Sequence, residues 1–220
     1  MTEQTIAQQV DEFNVGFTAQ IGPELSAVFD GEQRDLRAGG TPDGVVAVGD
    51  ALPGATLVTP TGEERSLDAV LGGAPAVLVF YRGSWCPYCN LTLTTYQRDL
   101  VGPLGDAGVQ LVAISPQTPE ASQRSTADGD LGFTLLTDPG NRLAAQLGIV
   151  TAPSPQARAA HTTLGFDVAD SNADATAAIP FPTVIVVDSS GTVRFVDVHV
   201  DYTTRTEVPD ILRAVSGLAR

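Results

Sequence analysis

Apolar residues recur at helical spacing near the start of the chain: Ile6, Val10, Phe13, Phe17 and Ile21. That period predicts helix from residue 3 to about 30, divided in two by Gly22-Pro23. A polar, Gly-rich stretch from Arg37 to Gly44 follows, so residues 1–45 read as a helical N-terminal extension. Its plain role is to cover part of a core; a dimer contact is the second role open to it. From Val46 the pattern changes. Ala55–Val58 reads as a short strand, Thr59–Glu63 as a turn and Ser66–Leu71 as a short helix. Ala76–Tyr81 is continuously apolar, the pattern of a buried parallel strand. Residues 87–104 follow as one helix, anchored by Leu91, Leu93, Tyr96, Leu100 and Leu104. Val109–Ile114 and Phe133–Leu136 are strands, while Pro119–Ala127 and Asn141–Leu147 are helices. Thr183–Val187 and Val193–Val198 form a hairpin across Asp188-Ser189-Ser190-Gly191, and Glu207–Leu218 closes the chain as a helix. The order βαβαβα, hairpin, α requires parallel crossovers followed by an antiparallel edge. Residues 150–180 are rich in Ala, Ser, Thr, Asp and Pro and fit no regular pattern.

Composition narrows the function. The 220 residues carry 26 acidic and 12 basic side chains, a net charge of −14, and every basic residue is Arg. Such a chain repels nucleic acid and anionic membrane surfaces. The Met1 end has neither a basic start nor an apolar signal core, and no stretch approaches the ~20 apolar residues of a membrane span. A cytoplasmic protein is the expectation, and 43% hydrophobic residues suffice for its core without disulfide staples.

The two cysteines lie in Trp85-Cys86-Pro87-Tyr88-Cys89, directly after the apolar strand. In a reducing compartment such a pair is catalytic or metal-binding rather than structural. Zinc needs two further ligands. His161, in the irregular segment, reads as solvated, and His199, beside Asp197 and Asp201, as a surface residue, so no metal is expected. Cys86 falls at a helix N-cap with Pro87 in the first helical position. Unpaired N–H groups and the helix dipole there favour a thiolate. Local chemistry therefore makes Cys86 the attacker and Cys89 the resolver. Arg82 is the one nearby cation in sequence and is expected to hold a thiolate or a peroxide oxygen. Trp85 is expected to pack over the sulfurs.

Longer motifs carry a resemblance. Val48-Gly49-Asp50-Ala51-Leu52-Pro53, Thr56-Leu57, Gly62 and Ser66-Leu67 resemble the start of the alkyl hydroperoxide reductase/thiol-specific antioxidant family. Val77 through Cys89 resembles its peroxiredoxin-like branch with a CxxC. Pro180-Phe181-Pro182-Thr183 with the strand after it, and Val200-Asp201-Tyr202-Thr203 to Arg205, are similar to later parts of that branch. The resemblance covers residues 46–218 and implies a thioredoxin-like α/β domain, a central mixed sheet flanked by helices, over 46–220. It implies a thiol-dependent peroxidase without a cofactor. The substrate is hydrogen peroxide or an alkyl hydroperoxide, and thioredoxin or a similar dithiol restores the pair. It also implies that Pro182 is a cis proline facing the cysteines, with Thr183 beside it. The family pattern Pro-x-x-x-Thr-x-x-Cys is not restored with either cysteine in the reactive position, and the usual late-strand Arg is replaced near Phe181. Registering on the family pattern favours Cys89 as attacker; a thioredoxin register keeps Cys86. A protein disulfide oxidoreductase without peroxidase activity is the alternative.

Overall fold

A computed structural model describes residues 4–218. Helix α1 runs from Ile6 to Gly39 and starts at a capping box: Thr5 and Gln8 each accept the other's backbone N–H through their side chains. The Glu207 carboxylate, far along the chain, accepts the next two amides, Ile6 N at 3.0 Å and Ala7 N at 2.9 Å. A negative charge at a helix start is favourable. The expected break is a kink: Gly22 adopts φ 80°, ψ 169°, and Pro23 removes a donor. The helix runs on past Asp30, where its hydrophobic pattern ended, to a cap at Gly40.

Strands β1 (Thr56–Val58), β2 (Glu64–Ser66), β3 (Ala76–Phe80), β4 (Gln110–Ser115), β5 (Thr134–Thr137), β8 (Thr183–Val187) and β9 (Val193–Val198) form one sheet in the order β2-β1-β5-β4-β3-β8-β9. β3 pairs in parallel with β4, and β4 with β5, while β8 joins β3 antiparallel and β9 closes the hairpin. The predicted crossovers and edge are therefore present. β2 escaped the sequence pattern because all three of its residues are exposed and show no alternation.

The sheet is covered on both faces, and β3 shows why its sequence is apolar throughout. Val77, Val79 and Tyr81 enter one core with Ile6, Val10, Leu93 and Tyr96. Ala76, Leu78 and Phe80 enter the other with Leu67, Leu71 and Leu143. The first core lies under α1, α3 (Pro87–Asp99), α4 (Val101–Asp106) and α9 (Val208–Ser216); the second lies under α2 (Leu67–Leu71) and α6 (Arg142–Gln146). α5 (Pro119–Asp128) links β4 to β5.

The helix expected over 87–104 is two helices meeting at Leu100, since Pro103 cannot donate to the carbonyl four residues back. Residues 150–180, expected to be irregular, hold α7 (Pro155–Thr163), α8 (Val168–Ser171) and a small ladder of β6 (Val150–Thr151) on β7 (Ile179–Pro180). Ser154 and Asp167 cap the two helices through their side chains, and α7 packs on α1. Among the described residues no helix is long and apolar enough to cross a membrane.

Candidate active site

The site begins where β3 ends. Tyr81 still donates to Ile114 O, and then the chain turns sharply through Arg82-Gly83-Ser84-Trp85 into α3. Gly83 makes the turn possible. Its φ is +139°, and a Cβ there would lie 2.7 Å from the Trp85 indole nitrogen. Gly83→Ala is expected to destabilise the fold by about 1–3 kcal/mol, read as a lowered urea midpoint at unchanged slope; an unchanged midpoint would show that the turn relaxes freely. Gln117 fastens the turn from β4's far end: its carbonyl oxygen accepts from Ser84 N at 2.7 Å, and its amide donates to Tyr81 Oη at 2.9 Å. Asn90 reaches back to Ser84 O at 2.7 Å.

Cys86 is the N-cap of α3 and Pro87 its first residue, as the spacing predicted. Both cysteines are reduced and fully buried, and their sulfurs share a hydrogen bond. The expected charge distribution is reversed. Cys86 Sγ makes no capping bond to the helix amides, and burial pushes its thiol well above the ordinary value. Burial acts on Cys89 in the same direction but is outweighed. The Cys86 thiol donates to it, the Arg205 charge faces it, and the backbone N–H and charge of Arg82 add to both, lowering it to about 5. Arg205 Nη2 stands 3.1 Å from Cys89 Sγ. The thiolate of this pair therefore sits on Cys89, not on Cys86.

Arg205 is the site residue that local sequence reasoning missed. It lies 116 positions beyond Cys89, in the loop between β9 and α9. That loop is well tied. Arg205 Nη1 donates to Tyr202 O at 2.7 Å and to Thr204 O, and Tyr96 Oη donates to Thr206 O at 2.6 Å. His199 bridges Thr204 and Asp197, a structural bond that keeps it largely buried. The signal was present in the Tyr202-to-Arg205 motif, though nothing local marked its cation as facing a sulfur.

Arg82 is brought in as expected, but by stacking. Only 4% exposed, its guanidinium lies 3.9 Å over the Tyr202 ring and 4.7 Å from the Trp85 ring. Tyr202 Oη in turn donates to Glu32 on α1 at 3.0 Å, and the same carboxylate accepts from Ser154 N at 2.8 Å. Trp85 packs on Arg82, His161 and Phe166. His161 is buried rather than solvated, because α7 carries it against Phe29, Trp85 and Phe166; burial and the nearby Arg82 charge push it down to about 4.

Pro182 and Thr183 also reach the site, but the expected cis bond is absent: every described peptide bond is trans. Phe181 N donates to Ile149 O, Pro182 O accepts from His199 N, and Thr183 pairs with Val198. The segment thus passes extended from β7 into β8, and trans, the ordinary X–Pro geometry, satisfies its backbone. Pro182, Thr183, Thr92, His199 and Arg205 surround Cys89 at a cavity of about 10 Å³, the size of one water. Cys86 faces another space. A cavity of about 400 Å³ opens over it, roofed by α1 and α7 and lined by Arg82, Trp85, Pro87, Tyr88 and Tyr202. Among the described residues no His, Cys, Asp and Glu cluster of three or more stands ready for a metal.

Known proteins resemble this chain in sequence and in fold. The putative peroxiredoxin bcp of Coxiella burnetii is 35% identical over 105 residues, 48% of this chain and 68% of that protein. The chloroplastic peroxiredoxin Q of Populus jackii is 32% identical over 46% of each chain, so this chain spans about half the length of that relative. In fold, the chain is similar to peroxidoxin BcpB of Mycobacterium tuberculosis, at TM-score 0.59 and 21% identity over 78% of this chain and 97% of that one. It is also similar to reduced Prx3 of Vibrio vulnificus in complex with hydrogen peroxide, at TM-score 0.63 and 18% identity over 78% and 99%. The sequence profile described as the AhpC/TSA family matches residues 48–196, which takes in the whole sheet up to Val196 and leaves only Asp197 and Val198 of β9 outside, and the chain belongs to that family.

Proposed function

We propose that this chain reduces hydroperoxides by cycling Cys86 and Cys89 between dithiol and disulfide, with Cys86 as the attacking sulfur. Thiol-dependent peroxide reduction is the chemistry of its family; the roles of the residues are read from this site. One observation carries the assignment: Cys86 lines the large cavity, whereas Cys89 lies behind it against Arg205. Cys89 thiolate takes the Cys86 proton across their shared hydrogen bond. The Cys86 sulfur then attacks one oxygen of the O–O bond, giving Cys86 sulfenic acid and an alkoxide, or hydroxide from hydrogen peroxide. Arg82 lies beside that developing charge, and the Cys89 thiol returns the proton to it. Cys89 thiolate next attacks the Cys86 sulfur, the S–O bond breaks, and the departing hydroxide takes a proton from solvent. Two electrons pass from the dithiol to the peroxide; the products are an alcohol, water and the Cys86–Cys89 disulfide. Thioredoxin or a similar dithiol supplies two electrons and two protons to reset the pair.

The large cavity at Cys86 favours a small-molecule oxidant over a protein disulfide in the oxidising half of the cycle. Stopped-flow mixing of reduced protein with peroxide, followed by Trp85 fluorescence, is expected to give a second-order rate far above that of free thiol. Mass spectrometry should show both thiols lost within a monomer and, in Cys89→Ser, sulfenic acid on Cys86. Fast sulfenic acid in Cys86→Ser but not in Cys89→Ser would reverse the roles; a rate no faster than free thiol would remove the peroxidase reading.

A further inference from the structure

The 400 Å³ cavity over Cys86 is far larger than hydrogen peroxide requires, and its lining is specialised. One wall is α1, which lies wholly outside the residues that match the family profile. Phe17, Ile21 and Phe29 come from that helix. The facing wall holds Trp85, His161 and Phe166, three rings in mutual contact at 4.7–5.6 Å between centroids. Aromatic faces set around a void gain most from a flat, polarisable guest.

Three polar side chains of the lining, Gln33, His161 and Trp85, have buried atoms without a hydrogen-bond partner among the described residues, whereas Asn14, Ser26 and Tyr202 are bonded. Gln33, only 5% exposed on α1, has neither amide atom hydrogen-bonded, although a buried amide ordinarily finds partners. His161 Nδ1 is likewise buried and unpartnered. Arg82 is buried between rings and forms no ion pair among the described residues. A cavity with aromatic walls, an unpaired buried amide and a buried cation stacked between rings suits an organic molecule with an acceptor.

Resting on the peroxidase reading, we infer that the helical extension makes this site selective for bulky aromatic hydroperoxides over hydrogen peroxide, with Gln33 as a specificity-determining residue. The aromatic body fills the space between α1 and α7, and the hydroperoxide group reaches Arg82 and Cys86. The bond changes are those already given, with an aryl-substituted alkoxide leaving as the alcohol. Body and reacting group are thus held by different elements, so binding of the body is available to position the O–O bond.

Cumene hydroperoxide and hydrogen peroxide, compared by stopped flow on the full chain, test this. The wild-type ratio of second-order rate constants is expected to favour cumene hydroperoxide by roughly tenfold or more, the scale on which apolar pockets discriminate. Thr18→Phe, at an exposed position on the cavity rim, narrows the mouth and should lower that ratio; Gln33→Leu should change it through KM. Independently of turnover, the product alcohol 2-phenyl-2-propanol should bind saturably and perturb Trp85 fluorescence, less so in Thr18→Phe. Oxidation of the pair by both peroxides at equal rates, with a ratio unmoved in the variants or no alcohol binding, would overturn the selectivity and leave the peroxidase reading standing. Oxidation by neither would overturn both.

Discussion

Arg205→Met should slow oxidation of the reduced pair by about 100-fold at pH 7. The guanidinium stands 3.1 Å from Cys89 Sγ in a fully buried setting, and a charge-assisted contact there holds the thiol at about 5. Methionine fills the stem's space without the charge. Burial, the largest influence on Cys89, would then act with less opposition and carry the thiol to or beyond its ordinary value. A thiol with a pKa near 9 is about 1% ionised at pH 7, against about 99% for one near 5, which sets the expected factor. The loss should be recovered by raising the pH toward about 10, because the variant lacks charge stabilisation and not the sulfur. Iodoacetamide alkylation at several pH values separates the outcomes. A rate unchanged from wild type would show that Arg205 does not hold the thiolate, and a loss that alkali cannot restore would point to a collapsed loop. The second outcome has a structural route, since Tyr202 O and Thr204 O lose their donors and each orphaned carbonyl costs about 1–3 kcal/mol. Near-UV circular dichroism distinguishes it.

The Arg205 contact also marks the limit of what the chain reveals by inspection. The strand before the cysteines, the turn, the N-cap and the proline after it are local features, and local sequence encodes them. The sheet order follows from the alternation of apolar runs and helices. The charge on the pair is set by burial and by two cations from separate parts of the chain: Arg82 adjoins the motif, and Arg205 follows the last strand. A helix N-cap argument by itself assigns the thiolate to Cys86, because it weighs the helix dipole and omits burial. Here Cys86 receives the desolvation without a bond from the helix amides, and Cys89 receives the cation. The 150–180 segment was opaque for another reason. Its helices are short, Ala-rich and capped by Ser154 and Asp167, so their apolar faces carry too few large residues to show a period. His161 lies on one of those faces, and only packing against α1 shows that it is buried. For Pro182, motif resemblance suggested a geometry that the ladder from β7 into β8 does not use.

The pH profile of the wild-type reaction should have one acid limb with a midpoint near 5 and a plateau from about pH 6 to 9. The sign follows from the direction of each shift. Cys89 is depressed, so its anion is present above about pH 5 and is lost as the pH falls through that value. Below it Cys86 has no base to accept its proton, and the rate should fall about tenfold per pH unit. No alkaline limb is expected within the plateau, because Cys86 is shifted upward and keeps the shared proton. Tyr81, Tyr88 and Tyr202 around the pair are shifted upward as well, and His161 is already neutral above about pH 4. Between about pH 5 and 9, then, Cys89 sets the charge state of the pair. The same shift bears on stability. A depressed thiol contributes stability that is fully present above its unfolded value near 9 and lost as the pH falls through about 5. The reduced protein should therefore gain urea resistance across that window relative to Cys89→Ser, and the disulfide form, which has no thiol to titrate, should not. A midpoint near that of free cysteine, or a bell-shaped profile within the plateau, would place the working charge elsewhere than on Cys89.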